Sequence, residues 1–364
     1  MQSNPFKGVL KLAVDSKASD IHIKTGCAVT LRLHSELVES DFVADNDSVA
    51  QFIKIMLNQE LEQKYRVSGD VDLSYVEDGI GRFRVNIHKQ RGESAITIRY
   101  VKSKILNFQE LGLPPQITKL TKFERGIVFI TGTTGSGKST TLASVIESIN
   151  QTVKKYIITI EDPIEYEFTD KESFIEQREV GLDTISFDSA IIHSLRQDPD
   201  IIVVGEMRSR ESFDAALKAA DTGHLIFSTL HTKNAPQSIN RILDFYDASE
   251  HLSIRQALGG SLAAIISQRL IPKTSGDGVV PAVEIMFNNP IIESLLRENK
   301  LDKLAPAIEG SKGEGMQSFN QSLVDLVNNG LISENDALKN SDNQEVLKMC
   351  LKGVFLGTES KILG

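Results

Sequence analysis

The sequence predicts an α/β protein in which a small N-terminal α+β unit precedes a core built on a mostly parallel sheet, with a helical region at the C-terminal end. Three observations predict it. Short alternating apolar and polar runs, with helical stretches between them, occupy the first hundred residues. Strand and helix patterns alternate from Ile127 to Leu230. The glycine-rich stretch Gly132-Thr133-Thr134-Gly135-Ser136-Gly137-Lys138-Ser139 lies between an apolar run and a helical segment opening near Thr140. Period-two alternation marks half-buried strands, and repeated βα alternation implies parallel strands with helices on both faces.

Residues 7–17 read as a short amphipathic helix, and Asp20-Ile21-His22-Ile23 and Thr30-Leu31-Arg32-Leu33 alternate as strands do. Asp45-Asn46-Asp47 offers N-caps for a helix through Met56. After Gly69, three more strands are expected at Val71–Val76, Gly81–Ile87 and Ser94–Tyr100. Gly112-Leu113-Pro114-Pro115 belongs to a connector. Strands follow at Ile127–Thr131, Tyr156–Ile160, Ile201–Gly205 and Leu225–Leu230, separated by helices at Ser139–Ile149, Phe187–Leu195 and Glu211–Asp221. Beyond Ala235 the pattern reads as helical, through Ile254–Leu270, Ile291–Arg297, Phe319–Asn328 and Glu334–Lys339.

A chain of 364 residues with this balance of apolar and charged residues is an ordinary globular protein of two or three domains. It shows neither a secretory signal at Met1–Phe6 nor an apolar run of membrane-spanning length, so a cytosolic location is expected. Cys27 and Cys350 stand far apart, outside any Cys-x-x-Cys pair, and are expected to be buried thiols. The net charge of -9 argues against a protein that coats nucleic acid, because such binding is largely phosphate neutralisation. The first hundred residues are nearly balanced. Within them Gly79–Tyr100 carries a basic stripe of Arg82, Arg84, Lys89, Arg91 and Arg99 against the single acid Glu93.

The glycine-rich stretch has the spacing and the strand-to-helix setting of a P-loop. Its glycines let backbone amides curl around a phosphate chain, Lys138 reaches the β- and γ-phosphates, and the Ser139 hydroxyl is placed for Mg²⁺. ATP and Mg²⁺ are therefore the expected ligands, although the motif reads phosphates and leaves the base open. Asp198–Glu206 is an apolar strand run ending in an acid, so Glu206 is expected to face the nucleotide as a Walker B acid and metal ligand. Ile158-Thr159-Ile160-Glu161-Asp162-Pro163-Ile164-Glu165 repeats the arrangement, and one of its acids is a candidate to polarise an attacking water. His224 and His231 flank the strand Leu225–Leu230, too far apart for one metal. They read as a phosphate sensor, a subunit contact or core histidines.

These boxes, in this order and over nearly the whole chain, resemble the secretion ATPases of type II secretion and type IV pili. Ala18-Ser19-Asp20-Ile21-His22 and Gly81-Arg82-Phe83-Arg84-Val85-Asn86 look like that family's PAS-like N-terminal domain, and the length fits its PilT branch of pilus retraction motors. The resemblance implies a PAS-like domain at 1–100, a linker at 101–115, a RecA-like P-loop ATPase core at 116–290 and a helical region at 291–364. It also implies a homo-hexamer that hydrolyses ATP between the core of one subunit and the N-terminal domain of the next. Glu165 matches the catalytic glutamate and Glu206 the Walker B glutamate. His224 and His231 match the two histidines of the His box, with His231 grouped with catalysis and His224 with the nucleotide. Arg84 and Arg99 match arginines that reach a neighbour's phosphates, a trans arginine-finger role. Arg82 and Arg91 are the lesser candidates of the stripe. The implied partners are an inner-membrane pilus platform protein, approached from the cytoplasmic face, and a paralogous pilus ATPase.

Two positions depart from the family pattern. Thr133 stands where many relatives carry proline. The retraction signature Ala-Ile-Arg-Asn-Leu-Ile-Arg is matched here by Ile291-Ile292-Glu293-Ser294-Leu295-Leu296-Arg297, with Glu293 in place of an arginine. An accessory PilU-like subunit and an assembly or secretion motor stand as the alternative readings. A nucleic-acid translocase on the same core is disfavoured by the acidic balance and sparse aromatics.

Overall fold

The computed structural model describes residues 5–33, 36–101 and 104–353. The chain divides into two compact units. The first runs to Lys104 and takes in the later segment Pro163–Glu167; the second comprises Ile105–Asp162 and the chain from Phe168 onward.

In the first unit, α1 (Pro5–Asp15) leads into β1 (Asp20–Lys24), β2 (Cys27–Leu33) and β3 (Glu36–Ala44). Helices α2 (Asn46–Met56) and α3 (Gln59–Ser68) follow, then β4 (Asp70–Glu77), β5 (Gly81–Gln90) and β6 (Glu93–Val101). The strands form one antiparallel sheet in the order β3-β2-β1-β6-β5-β4. Alternation along β5 buries Phe83, Val85 and Ile87 against Phe6, Leu10 and Phe52, and turns Arg82, Arg84 and Asn86 to the other face. Asp45 caps α2 by accepting the Ser48 amide, as its position in the sequence predicts. Two elements escape the sequence pattern. The α3 sequence is polar on nearly every side and buries only Tyr65. The edge strand β3 exposes Leu37, Val38 and Val43 and shows no clean alternation. Because β2 lies beside that edge, Cys27 is only half-buried, which corrects the expectation of two buried thiols; Cys350 is buried.

The second unit opens with a 3₁₀ helix, Pro115–Lys122, followed by β7 (Gly126–Thr131), α4 (Lys138–Thr152), β8 (Tyr156–Glu161) and β9 (Phe174–Glu179). It continues through α5 (Phe187–Ser194), β10 (Ile201–Val204), α6 (Arg210–Asp221), β11 (Leu225–Leu230), α7 (Ala235–Leu243) and α8 (His251–Ser261). The hairpin β12 (Leu262–Pro272) and β13 (Val279–Phe287) follows. Helices α9 (Pro290–Arg297), α10 (Leu304–Gly310), α11 (Phe319–Asn328), α12 (Glu334–Asn340) and α13 (Gln344–Leu351) complete the unit. The sheet order is β13-β12-β7-β11-β10-β8-β9, parallel except for β13. Every residue of β7, β10 and β11 is buried, as expected of parallel strands covered on both faces.

One expectation fails here. The helix drawn from Ile254 to Leu270 ends at Ser261, and the chain enters β12 directly. A continuous apolar run such as Leu262–Ile266 does not distinguish buried strand from buried helix by periodicity. Its partner β13 carries Pro281, which an edge strand tolerates because one flank needs no ladder hydrogen bonds. Strand β9 was hidden by its charged sequence Phe-Ile-Glu-Gln-Arg-Glu. The C-terminal helices α11 to α13 bury Phe319, Leu323 and Leu347 with Ile271, Val280 and Ala282 of the hairpin, so this region packs as part of the second unit. Among the described residues no helix is long and apolar enough to cross a membrane.

Candidate nucleotide site

Strand β7 delivers the chain to the glycine-rich loop, and the loop's geometry explains its glycines. Gly132 has φ 153°, and a Cβ there would stand 2.6 Å from the Gln268 carbonyl oxygen. Gly137 caps α4 in the left-handed region with φ 85°, and its Cβ would meet Gln268 Nε2 at 2.7 Å. Gln268 itself, on β12, donates Nε2 to the Ser136 carbonyl at 2.6 Å and accepts the Thr141 hydroxyl on Oε1 at 2.8 Å. One buried amide thus holds both the loop and the first turn of α4.

Lys138 begins α4 and is buried. Its ammonium donates to the Gly132 and Thr133 carbonyls, each at 3.0 Å, and lies 3.5 Å from His231 Nδ1. The other nitrogen of that ring lies 3.4 Å from Glu206 Oε1, and Arg208 pairs with Glu206 Oε2 at 2.7 Å. The Thr229 hydroxyl, donating to the Gly205 carbonyl at 2.7 Å, ties the end of β10 to β11. Lys138, His231 and Glu206 therefore form a contiguous polar row across the carboxyl ends of β7, β11 and β10, where parallel sheets bind their ligands.

The residues fit a nucleoside triphosphate with its cation. The loop ends on the N-terminus of a 15-residue helix, whose unpaired amides and dipole favour phosphate. Thr134, Gly135 and Ser139 are exposed at this mouth. The Ser136 hydroxyl is buried without a hydrogen-bond partner among the described residues. Beside the loop lies a cavity of about 510 Å³, bounded by Thr133–Ser136, by Lys233, Arg269 and Leu270, and by Lys339–Asp342. Arg269 positions that last wall by donating to the Asn340 carbonyl, pairing with Asp342 at 2.6 Å and stacking 3.9 Å from the Phe319 ring centroid. Gln268 and Arg269 are not legible as site residues in the sequence, because the apolar run that forms β12 reads as helix, and the connection after α12 reaches the loop only through the tertiary fold.

The other residues fall into two groups. His224 stands at the amino end of β11, with Nδ1 near the Ala219 carbonyl at 3.0 Å and the Thr222 hydroxyl at 3.1 Å. Six strand residues separate it from the His231 end, about 20 Å of extended chain. Within one chain it is not part of the nucleotide pocket, which corrects its grouping with the nucleotide residues. Glu165 is exposed on Pro163–Glu167, the segment that clusters with the first unit. Glu167, two residues further on, pairs with Arg82 at 3.3 Å.

On the first unit's open face, Arg84 and Arg99 are direct cross-strand partners, and both are exposed. The row continues from Arg99 through Asp20 to Arg32. Arg99 Nε donates to Asp20 Oδ1 at 2.8 Å. Burial works to raise the Asp20 carboxyl, but hydrogen bonds from Arg99 and Ser19 prevail and hold it below the ordinary carboxylate value. Arg84 has no ion-pair partner among the described residues. The lesser candidates have other work: Arg82 is engaged with Glu167, and Arg91 has φ 52° in the two-residue turn with Gly92 that joins β5 to β6.

Comparisons with known proteins agree with this geometry. The sequence matches the type II/IV secretion system protein family over residues 4–303. The type IV pilus retraction ATPase PilT of Pseudomonas aeruginosa is 39% identical over 330 residues, covering 90% of this chain and 96% of that protein. The type IV pilus ATPase PilU of the same organism is 35% identical over 356 residues, covering 98% of this chain and 92% of that protein. A crystal structure of the pilus retraction motor PilT with bound ADP matches with a TM-score of 0.87 at 42% identity, covering 93% of this chain and 97% of that one.

Proposed function

We propose that this chain, which belongs to the type II/IV secretion system protein family, is an ATP-hydrolysing motor that powers retraction of type IV pili. It has the N-terminal α+β domain and RecA-like P-loop core of its solved relative PilT. The observation that carries the reading is the row Lys138–His231–Glu206 at the carboxyl ends of three adjacent parallel strands.

In this reading the amides of Thr133–Lys138 and the Lys138 ammonium hold the phosphates, with Gly132, Gly135 and Gly137 giving the backbone room and Thr140 in the first turn of α4. Ser139 and Glu206 would hold Mg²⁺, which would neutralise negative charge on the phosphates. Glu165 accepts the proton of the attacking water, and His231 senses the γ-phosphate beside Glu206. Arg84 and Arg99 complete the site of a neighbouring subunit, and His224 serves a subunit contact. A head-to-tail contact of that kind pairs two different faces and closes into a ring, here a homo-hexamer. The ring acts at the cytoplasmic face of the inner membrane on the pilus platform protein, reached by docking.

A second reading, an accessory subunit like PilU, is favoured by the match to PilU over 98% of the chain and by Glu293 in the helix that aligns with the retraction signature. ATP turnover per subunit, followed against protein concentration, tests both. Specific activity that rises steeply with concentration and collapses in Arg84→Ala is the expected result for sites completed in trans. Turnover independent of concentration and untouched by the substitution refutes the ring assignment. No turnover at any concentration, with capture by a second pilus ATPase, selects the accessory reading. In cells, loss of a retraction motor leaves excess surface pili, whereas loss of an assembly motor leaves none.

A further inference from the structure

Glu284, on β13, is a carboxyl with no place in the roles above, and it is 4% exposed. Its Oε1 accepts two hydrogen bonds, from the backbone amide of Ala235 at 2.7 Å and from the Ser267 hydroxyl at 3.2 Å. The Ser267 hydroxyl in turn accepts from Thr131 at 3.0 Å. Thr131 is the last residue of β7 and directly precedes Gly132 of the phosphate loop. Ala235 is the first residue of α7 and follows His231 by four positions. The strand register makes this a built arrangement, since Thr131 pairs with Ser267 and Ser267 with Glu284 across three adjacent strands. A single buried carboxylate thus bridges the stem of the phosphate loop and the stem of His231.

We propose that Glu284 is a positioning residue for nucleotide binding, holding Thr131 and Ala235, and through them Lys138 and His231, in the arrangement that receives the phosphates. The inference rests on the reading of Lys138 and His231 given above. An ionised carboxylate accepts stronger, shorter hydrogen bonds than a neutral acid, and the amino end of α7 favours negative charge. The bridge is therefore tightest when Glu284 is ionised. Burial pushes the Glu284 carboxyl up to about 7, against the lowering effects of the Ala235 amide, Ser267 and Arg269. Arg269 of β12 and Asp342 of the connection after α12 are the charged groups acting on it, the first lowering and the second raising it. From α11 the Ser322 hydroxyl serves the neighbouring Val283 amide, not this carboxyl. The bridge accordingly gains its charge across the neutral pH range.

The test is the affinity of the full-length protein for a fluorescent ATP analogue with Mg²⁺ between pH 6 and pH 8, for wild type, Glu284→Gln and Ser267→Ala. Comparing each variant with wild type at the same pH removes titration of the nucleotide. The wild-type advantage over Glu284→Gln is expected to be near one at pH 6 and about tenfold at pH 8. Ser267→Ala, which keeps the carboxyl and breaks only the relay, is expected to lose a similar factor at pH 8, and the double variant to be no weaker than the worse single one. Equal affinities at pH 8 for wild type and Ser267→Ala overturn the proposal, even if Glu284→Gln fails to fold. A deficit in Glu284→Gln that is constant across pH also overturns it. Wild-type protein that binds no nucleotide at any pH overturns both this inference and the site reading beneath it, whereas a binding wild type with indifferent variants overturns the inference alone.

Discussion

In the first unit the charged residues stand on an open sheet face, whereas in the second they stand at the ends of buried strands. Arg84, Arg99 and Asp20 lie side by side across three antiparallel strands, the two arginines exposed, Asp20 buried beneath them, and the core on the other side of the sheet. Lys138, His231 and Glu206 project from the ends of strands covered on both faces. A buried parallel sheet fixes its strand ends tightly, which suits groups that must meet a phosphate within hydrogen-bond distance. An open face displays groups outward, which suits contact with another molecule. The proposed division of labour, a complete phosphate cradle in one unit and arginines offered by the other, follows from that difference.

Removing one residue from each unit has the largest expected effect. Lys138→Ala deletes the only lysine of the phosphate loop, and turnover is expected to fall about 10³-fold with the circular dichroism spectrum unchanged. Arg84→Ala is expected to cost about 10²-fold or more while leaving nucleotide affinity of the isolated subunit nearly intact, because an arginine acting in trans stabilises the reacting state in a neighbour. Mixing the two inactive variants sharpens the point. Rings containing both have some interfaces with an intact cradle and an intact Arg84, so activity is expected to reappear on mixing. Two inactive variants that stay inactive when mixed place Lys138 and Arg84 of one and the same subunit in a single site, against action in trans.

A smaller effect is expected at Asp20. Its carboxyl titrates below the ordinary 3.8 because hydrogen bonds from Arg99 and Ser19 outweigh burial. The sign follows from linkage: a depressed folded-state value contributes stability that is fully present above the unfolded value and is lost as pH falls through the folded one. Asp20→Asn is therefore expected to weaken the first unit by about 1 kcal/mol at pH 7 and to make little difference once the pH has fallen below the depressed folded-state value. Hydrogen exchange of the β1 and β6 amides measures this without involving the second unit. Equal protection in the two proteins at pH 7 removes Asp20 as the anchor of Arg99.

The same contrast governs what was legible in the sequence. The phosphate loop is contiguous, so Gly132 to Ser139 announce both their chemistry and their setting. Glu206 is legible because it ends an uninterrupted apolar strand, and Asp45 because a cap is a local device. Gln268, Ser267 and Glu284 are not, because they reach the loop only through the pairing of β12 with β7 and of β13 with β12. Nothing in the composition of Leu262–Ile266 separates that strand from the helix before it. His224 is the converse case: the strand it shares with His231 is legible, and strand polarity places the two rings at opposite ends of β11.

The smallest expected effect concerns Glu293, where local physics and family pattern diverge. It lies in the first turn of α9, where a negative side chain suits the helix dipole, and it pairs with Arg297 at 2.6 Å one turn on. Helix α9 buries Ile292 and Leu296, leaves Ile291 55% exposed, and lies so close to α8 that a Cβ at Gly259 would stand 3.2 Å from Arg297 Cγ. Replacing Glu293 with the arginine of the retraction signature loses a half-exposed ion pair, sets two like charges one turn apart and opposes the dipole. Each is worth a few tenths of a kcal/mol, so Glu293→Arg is expected to cost about 1 kcal/mol in stability and to leave turnover within about twofold of wild type. Retraction in cells is the informative readout. If the variant retracts pili faster at unchanged turnover, the exposed side of α9 transmits force and Glu293 attenuates it. If turnover and retraction both stay as they were, α9 is a packing helix whose sequence is set by α8, and the departure from the signature carries no information about direction.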